Sequence, residues 1–315
     1  MKKLLLLSLA LFIVSAWQIR EWALQKGPLQ EETFVLIPRG AGVQTTAKIL
    51  ADYGVVDREW LVRLVARLKN WDKELKAGEY AFQPHISLYN ALQKIVNGDI
   101  YYRKITFAEG LTTAQILALV AAEPYLSGDI TLHPHEGELL PETYNFIRGD
   151  SKDSIIQQAM TAMHKALADN WQQRAAGLPL KTPQEMLTLA SIVEKETGVA
   201  EERGLVASVF TNRLHKGMKL QTDPTVIYAL THGQNELEHP LTKKDLQTDS
   251  PYNTYQYYGL PPTPICNPGQ AALKAVAHPE TSNYLYFVAN GRGGHNFAEN
   301  LTQHNRNVQS YRQKR

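Results

Sequence analysis

Cysteine is nearly absent: Cys266 is the one thiol in 315 residues. An intrachain disulfide is therefore impossible, and a thiolate-rich zinc or iron–sulfur site is excluded. Flanked by Pro264 and Pro268, Cys266 reads as a small packed apolar residue before it reads as a nucleophile. Net charge is scarce too. Lys plus Arg is 33 against 31 for Asp plus Glu, leaving +2, which argues against a dedicated nucleic-acid binder. Common catalytic signatures are missing: there is no G-x-S-x-G elbow, no H-E-x-x-H pair and no P-loop. Gly291, Gly293 and Gly294 follow a strand-like run, but their spacing suits a hairpin turn rather than a dinucleotide fingerprint. His133, His135 and Glu136 could form a metal cluster, yet no helix fixes their spacing.

What is present suits a folded body. Hydrophobic residues are 43% and charged residues 20%, and the length fits about two domains. At the amino end, Lys2 and Lys3 precede the apolar run Leu4 to Trp17, followed by Gln18, Arg20 and Glu21. The run is shorter than the roughly 20 residues that span a bilayer, and its length would also suit a secretory signal. No small-x-small cleavage site follows, however; the flank reads Ser15, Ala16, Trp17, Gln18. Trp17 and Trp22 suit an interfacial belt, and the reading favoured is an uncleaved anchor with Lys2 and Lys3 inside, although Arg20 and Lys26 weaken that orientation. Residues 18–32, with Gly27 and Pro28, read as a polar linker.

A strand–turn–helix pattern then recurs weakly. Phe34 to Ile37, Glu79 to Phe82 and Ile105 to Phe107 are strand-like. Each precedes a helix-like stretch, and a Ser or Thr is expected at the cap, as with Ser87 and Thr112. Trp60 to Leu68 reads as a further amphipathic helix. The second half is mainly helical, with helices expected over Ser154 to Trp171, Glu201 to Lys216, Asp223 to Leu230 and Asn267 to Ala277. Asp223-Pro224 reads as a cap followed by a first-turn proline. A strand is expected from Tyr284 to Ala289, and a basic tail ends the chain.

One helix is marked with particular clarity. Thr182-Pro183-Gln184-Glu185 supplies a cap, a first-turn proline and a capping-box glutamate, and Gly198 marks the end. Along it, Glu196 falls about 70° from the centre of the apolar arc, and Glu194 about 90° away on the other flank. Each carboxyl borders the core at a helix C-terminus, where desolvation and the dipole both raise its pKa. A carboxyl protonated near neutrality is what a general acid requires; two solvated helix-edge glutamates are the plainer alternative. Periodicity slightly favours Glu196 without deciding. Nearby, Tyr252, Tyr255, Tyr257 and Tyr258 alternate with Asn253, Thr254 and Gln256. Aromatic faces with polar tips suit a sugar polymer, although such a loop can also simply pack on a core.

The stretch LASIVEKET…ERGLVASVFTNRLHKGMKLQTDPTVIY, from Leu189 to Tyr228, closely resembles the endolytic murein transglycosylase family (MltG, or YceG-like). So do EGELLPETY from Glu136, YNTY from Tyr252, GLPPTPICNPG from Gly259 and YLYFVANGRGGHNF from Tyr284. The resemblance implies an α+β chain with a membrane anchor and linker over 1–26 and a LysM-like β–α module over 27–103. A larger, mainly helical catalytic domain with short strands would fill 104–315. It implies cleavage of the MurNAc–GlcNAc bond in nascent peptidoglycan, leaving 1,6-anhydroMurNAc ends and ending glycan elongation. Glu196, the second glutamate of E-K-E-T, would be the catalytic acid and base. Glu194 would support it, and Gln221, Thr222, Asp223, Tyr252, Asn253 and Tyr255 would line the cleft. No metal or organic cofactor is implied. The expected partners are glycan strands, the inner membrane and a penicillin-binding peptidoglycan synthase, with the catalytic domain in the periplasm and no nucleic acid. Two alternatives stand beside it: a non-catalytic peptidoglycan-binding scaffold, and a pyridoxal-phosphate-dependent aminodeoxychorismate lyase, a label that relatives have carried.

Overall fold

The computed structural model of the protein describes residues 2–313. Met1, Lys314 and Arg315, with the side chains of Lys2, Leu4 and Leu5, lie outside the described residues, so the expected Lys2 flank is placed only as backbone. The chain forms two compact units, one of residues 1–103 with 145–150, the other of residues 104–144 with 151–315. Helices dominate, and the strands pair only two at a time.

The first unit begins with α1 (Lys2–Leu24), followed by β1 (Thr33–Ile37), α2 (Val43–Asp52), α3 (Glu59–Leu68), β2 (Gly78–Phe82) and α4 (Leu88–Asn97). Strands β1 and β2 run antiparallel, with Thr33 opposite Phe82 and Ile37 opposite Gly78. Alternation along β1 sends Val35 and Ile37 into a core shared with Leu50, Leu61, Phe82 and Leu92. Tyr80 is fully buried, but its hydroxyl donates to the carbonyls of Lys76 (2.8 Å) and Ile95 (3.3 Å). Burial pushes its pKa up to about 12. Glu79 is buried as an ion: burial raises its carboxyl, but Arg103 and Arg148 outweigh that and hold it below the ordinary range.

Two expectations change in this unit. The polar stretch after Trp17 is not a linker throughout, because α1 continues to Leu24. Ile19, Trp22 and Ala23 recur at helical spacing and pack on the core, with Trp22 edge-on to Trp60 at 6.0 Å. Tertiary docking outweighs local polarity there. The cap expected in each copy forms at Ser87, which accepts from the Asn90 N–H, but not in α2. There Gly42 is the N-cap without a side-chain bond, and Thr46 is buried inside the helix.

Further along come β3 (Arg103–Thr106), α5 (Thr113–Ala122), β4 (Thr143–Phe146), α6 (Lys152–Gln173) and α7 (Pro183–Glu196). A 3₁₀ turn (Ala200–Glu202) leads into α8 (Arg203–His215), followed by α9 (Asp223–Thr231), α10 (Gln270–Ala277), β5 (Tyr286–Ala289), β6 (His295–Ala298) and α11 (Leu301–Gln313). Strand β3 pairs with β4, so the third copy of the weak repeat does not extend the β1–β2 sheet. Strands β5 and β6 form the hairpin expected from Gly291 and Gly293, which take φ of 76° and 91° in its turn. The expected basic tail is instead mostly helix, as α11, whose His304 stacks on Tyr286 at 5.2 Å.

Helix α7 is the axis of the second unit. Every residue from Met186 to Val193 is buried, because α6, α8, α9 and α10 pack around it. The expected one-sided arc is therefore surrounded. Its two polar side chains are satisfied within the helix: Thr188 donates to Gln184 O at 3.0 Å and Ser191 to Thr188 O at 2.7 Å. Thr182 caps the Glu185 N–H at 3.1 Å and Pro183 opens the helix. The Glu185 carboxylate, expected to close a capping box, accepts from the Lys181 N–H instead, one residue further out. Thr112 and Gln115 form the complete box, on α5.

Candidate active site

A helix surrounded by others brings whatever stands at its end half out of water. Helix α7 stops because Thr197 turns extended, at φ −142° and ψ 126°. Its last residue, Glu196, is half-buried and borders a cleft of about 190 Å³. Phe210, Arg213, Leu220, Gln221, Asp223, Tyr255 and Phe287 complete the lining.

Thr222 fixes the carboxyl. It is the N-cap residue of α9, so the expected cap at Asp223 moves back by one and Asp223 becomes the first helical residue. Thr222 makes no side-chain cap; its hydroxyl donates to Glu196 Oε1. The residue is itself held. Its N–H donates to Thr254 Oγ1 at 3.1 Å, its carbonyl accepts from the Thr225 hydroxyl at 2.7 Å, and the Thr225 and Thr254 hydroxyls lie 2.8 Å apart. Beside it Gln221 adopts φ 49°, and its N–H donates to the Thr254 carbonyl at 3.2 Å. The Tyr255 hydroxyl donates to Asp223 Oδ1 at 2.6 Å.

Burial is the main influence on Glu196 and raises its carboxyl above the ordinary range. Thr222 opposes this as a donor, the Asp223 carboxylate adds to it, and His295 and Arg213 oppose it. The net direction is up. Tyr255 is also pushed up, by burial and then by Asp223.

Arg213, His295 and Glu202 lie within the family-like stretches, but the sequence alone assigns them no role. Arg213 is 8% exposed and lines the cleft. Its Nε donates to Leu285 O at 2.6 Å and Nη1 to Leu220 O at 2.7 Å, which ties the α8 end to the residue before β5 and to the approach of α9. An arginine one turn beyond Phe210 on an otherwise apolar face was a readable signal. His295 Nδ1 lies 2.6 Å from Glu202 Oε2 and its N–H donates to Glu202 Oε1 at 2.9 Å. Those residues are 93 apart in sequence, and no local pattern links them.

The other expected residues stand elsewhere. Glu194 turns away from the Glu196 cleft. It is 5% exposed, accepts from the Gly269 N–H at 2.7 Å and lies 3.9 Å from Arg203. Gly269 is the N-cap of α10, so Glu194 anchors the start of that helix. Burial raises its carboxyl as well. Asn253 is fully buried, with Nδ2 donating to Leu246 O (3.1 Å) and Thr248 O (2.8 Å) and Oδ1 accepting from the Tyr255 N–H (3.0 Å). It shapes the loop from within. Tyr252 lies outside the lining of this cleft, against Tyr228 at 4.9 Å and with its hydroxyl 2.6 Å from that of Thr263. A second opening of about 420 Å³ meets α9 at Pro224, Ile227 and Tyr228, and Lys195 reaches it.

Glu136 holds the quoted EGELLPETY segment in place. Its Oε1 accepts from Thr113 N at 2.7 Å and Asn267 Nδ2 at 3.2 Å, and burial raises its carboxyl. Among the described residues no group of three or more His, Cys, Asp or Glu could hold a metal ion. Cys266 is buried and lies 3.3 Å from Ser191 O; burial pushes its thiol well up.

The sequence model of the YceG-like family matches residues 35–310. The chain belongs to the YceG-like family. Among relatives, it is 32% identical over 306 residues to the endolytic murein transglycosylase of Bacillus subtilis (strain 168), spanning 87% of this chain and 83% of that protein. It is 31% identical over 317 residues to the endolytic murein transglycosylase of Streptococcus pneumoniae serotype 2 (strain D39), spanning 86% of this chain and 57% of that longer protein. A crystal structure described as a yceG-like protein of Listeria monocytogenes superposes with a TM-score of 0.55 at 33% identity, covering 88% of this chain and 98% of that one. This YceG-like chain places Glu196, Thr222, Gln221, Asp223 and Tyr255 around one cleft, and Glu194, Tyr252 and Asn253 outside its lining.

Proposed function

We propose that this YceG-like chain is a peptidoglycan lytic transglycosylase in which Glu196 is the single acid and base. The observation that carries the reading is a carboxyl at the end of a surrounded helix, facing a cleft, fixed by Thr222 and raised by burial. Protonated Glu196 donates to the oxygen between MurNAc and GlcNAc, and the C1–O bond breaks. The new carboxylate takes the proton of the muramyl 6-hydroxyl, and O6 bonds to C1 of the same sugar. Glu196 regains its proton, no water is consumed, and a 1,6-anhydroMurNAc end forms. A hydrolase needs a second carboxylate because water or the enzyme must attack; here the substrate supplies the nucleophile. The opposing influences on Glu196 suit both halves. Burial favours the acid before transfer, and Arg213 and His295 stabilise the anion after it.

The finer parts of the proposal rest on placement and on the family. Helix α1 is long and apolar enough over Leu6–Leu24 to cross a membrane, and we read it as an anchor that leaves the rest of the chain in the periplasm. Residues 27–103 are read as a LysM-like glycan-binding module, and a penicillin-binding synthase as a neighbour working on the same nascent strand, whose elongation the cut would end.

The test is release of anhydro-ended fragments from uncrosslinked strands, read by mass. Glu196→Gln keeps size and hydrogen bonding but cannot pass a proton, so release is expected to fall at least ~10²–10⁴-fold with the fold intact. A product with a reducing, water-added end would replace the reading with a hydrolase. Glycan capture indifferent to Glu196→Gln, with no cleavage by the parent protein, would replace it with a binding scaffold, and cleavage indifferent to the substitution would move the acid to another residue.

A further inference from the structure

Within the first unit, a groove of about 430 Å³ runs between the last turns of α1 and the ends of α3 and α4. Its α1 wall includes Ala16, Ile19 and Ala23, small or apolar residues at helical spacing. These and Leu24 line about 12 Å of helix axis, at the end of the stretch apolar enough to cross a bilayer. The far wall carries Leu68, which is 64% exposed, and Tyr89.

The rim is basic. Lys69 stands at the groove with its ammonium 5.5 Å from the Tyr89 ring centre, and Arg20 stands on α1. Arg20 is shared with its neighbour Glu21 at 3.4 Å, both largely exposed, so Lys69 is the stronger of the two. Four of the five tryptophans, Trp17, Trp22, Trp60 and Trp71, belong to this unit. Trp17 and Trp60 are 58% and 45% exposed, and Trp71 packs on Tyr89. Exposed tryptophan beside an apolar span is the mark of a membrane–water interface.

An apolar trough continuous with a spanning helix, with cations at its mouth, matches one kind of molecule: a chain-bearing lipid with an anionic head. We propose that this groove holds an anionic glycerophospholipid of the outer leaflet, its acyl chain along Ala16, Ile19 and Leu68 and its phosphate at Lys69 and Arg20. The proposal rests on the reading of α1 as a membrane anchor. Phospholipid rather than free phosphate is argued by the apolar walls, which a bare anion would leave uncovered.

The full-length protein, purified from a micelle containing equal phosphatidylglycerol and phosphatidylcholine, is examined by native mass spectrometry for retained lipid. A preference for phosphatidylglycerol on the order of 5-fold per effective cation is expected. Lys69→Glu should abolish the preference, and Ala16→Trp, which fills the groove from an exposed helix position, should lower retention of both lipids. Unchanged thermal unfolding shows that both variants fold. Glu196→Gln, expected to lose cleavage, should keep the lipid preference, which holds the result separate from the role of Glu196. Equal retention of the two lipids, a preference that survives Lys69→Glu, or displacement by excess inorganic phosphate would each overturn the inference. A topology reporter separates it from the anchor: a chain placed in the periplasm and held at the membrane, yet without lipid preference, loses only this inference.

Discussion

Thr222 occupies a helix N-cap and does not cap. Its hydroxyl goes to Glu196, and the hydrogen bond favours the carboxylate. Thr222→Val removes the donor and leaves burial less opposed, so the Glu196 pKa should rise. In the proposed reaction cleavage starts from protonated Glu196, so the alkaline limb of kcat/KM should then move to higher pH, by an amount read from the pH profile; a limb that stays put would separate Thr222 from the acid. Stability follows the same carboxyl. Its folded pKa lies above the ordinary 4.5, so the folded state holds its proton longer than the unfolded one. Parent stability is therefore undiminished below the ordinary carboxyl pKa and falls as pH rises from there through the raised folded value. Glu196→Gln has no such loss. Its unfolding temperature should match the parent in acid and exceed it increasingly toward neutral pH, and a constant difference across that range would contradict the raised carboxyl.

Much of this site could be approached from the sequence, because a helix period of 3.6 already put both glutamates beside the core. It could not separate them. That separation depends on what lies beyond each end of the arc: the Gly269 N–H for Glu194, and Thr222 with the cleft for Glu196. The Tyr252–Tyr258 loop divides similarly. Tyr255 reaches the cleft while Tyr252 turns to Tyr228, a choice made by the buried Asn253 amide rather than by composition.

At the scale of elements, local signals held where the interaction was local. Ser87, Thr112 and Thr182 all accept from the N–H three residues on. The expectation failed where tertiary contacts decided, at Thr46 inside α2 and along α1 beyond Trp17. Glu194 joins two elements, the end of α7 and the start of α10. Glu194→Ala should strand the Gly269 N–H and cost about 1–3 kcal/mol, seen as a lower unfolding temperature. Glu194→Gln keeps an acceptor and should retain most stability and cleavage. A Glu194→Gln variant that is folded but inactive would move the chemistry toward this residue. Within α7 itself, Ile192→Ala should cost about 2–5 kcal/mol by chemical denaturation, because the helix is surrounded and no side can collapse freely.

At the scale of the molecule, α1 is both an apolar helix and part of a core. Removing residues 1–24 should therefore do more than take away the apolar helix. It strips Ile19, Trp22 and Ala23 from the first unit, and calorimetry should find that unit melting earlier than in the full chain. An unchanged transition would mean the docking contributes nothing. The same docking has a mechanical consequence. A free anchor answers a thinner or thicker bilayer by changing its tilt. Here the last turns are fastened to a folded body through Trp22 on Trp60 and Arg58 over the Trp22 ring at 4.8 Å. With α1 in a bilayer as proposed, tilting the helix would turn that body with it, and bilayer thickness would become a lever on how the first unit is presented.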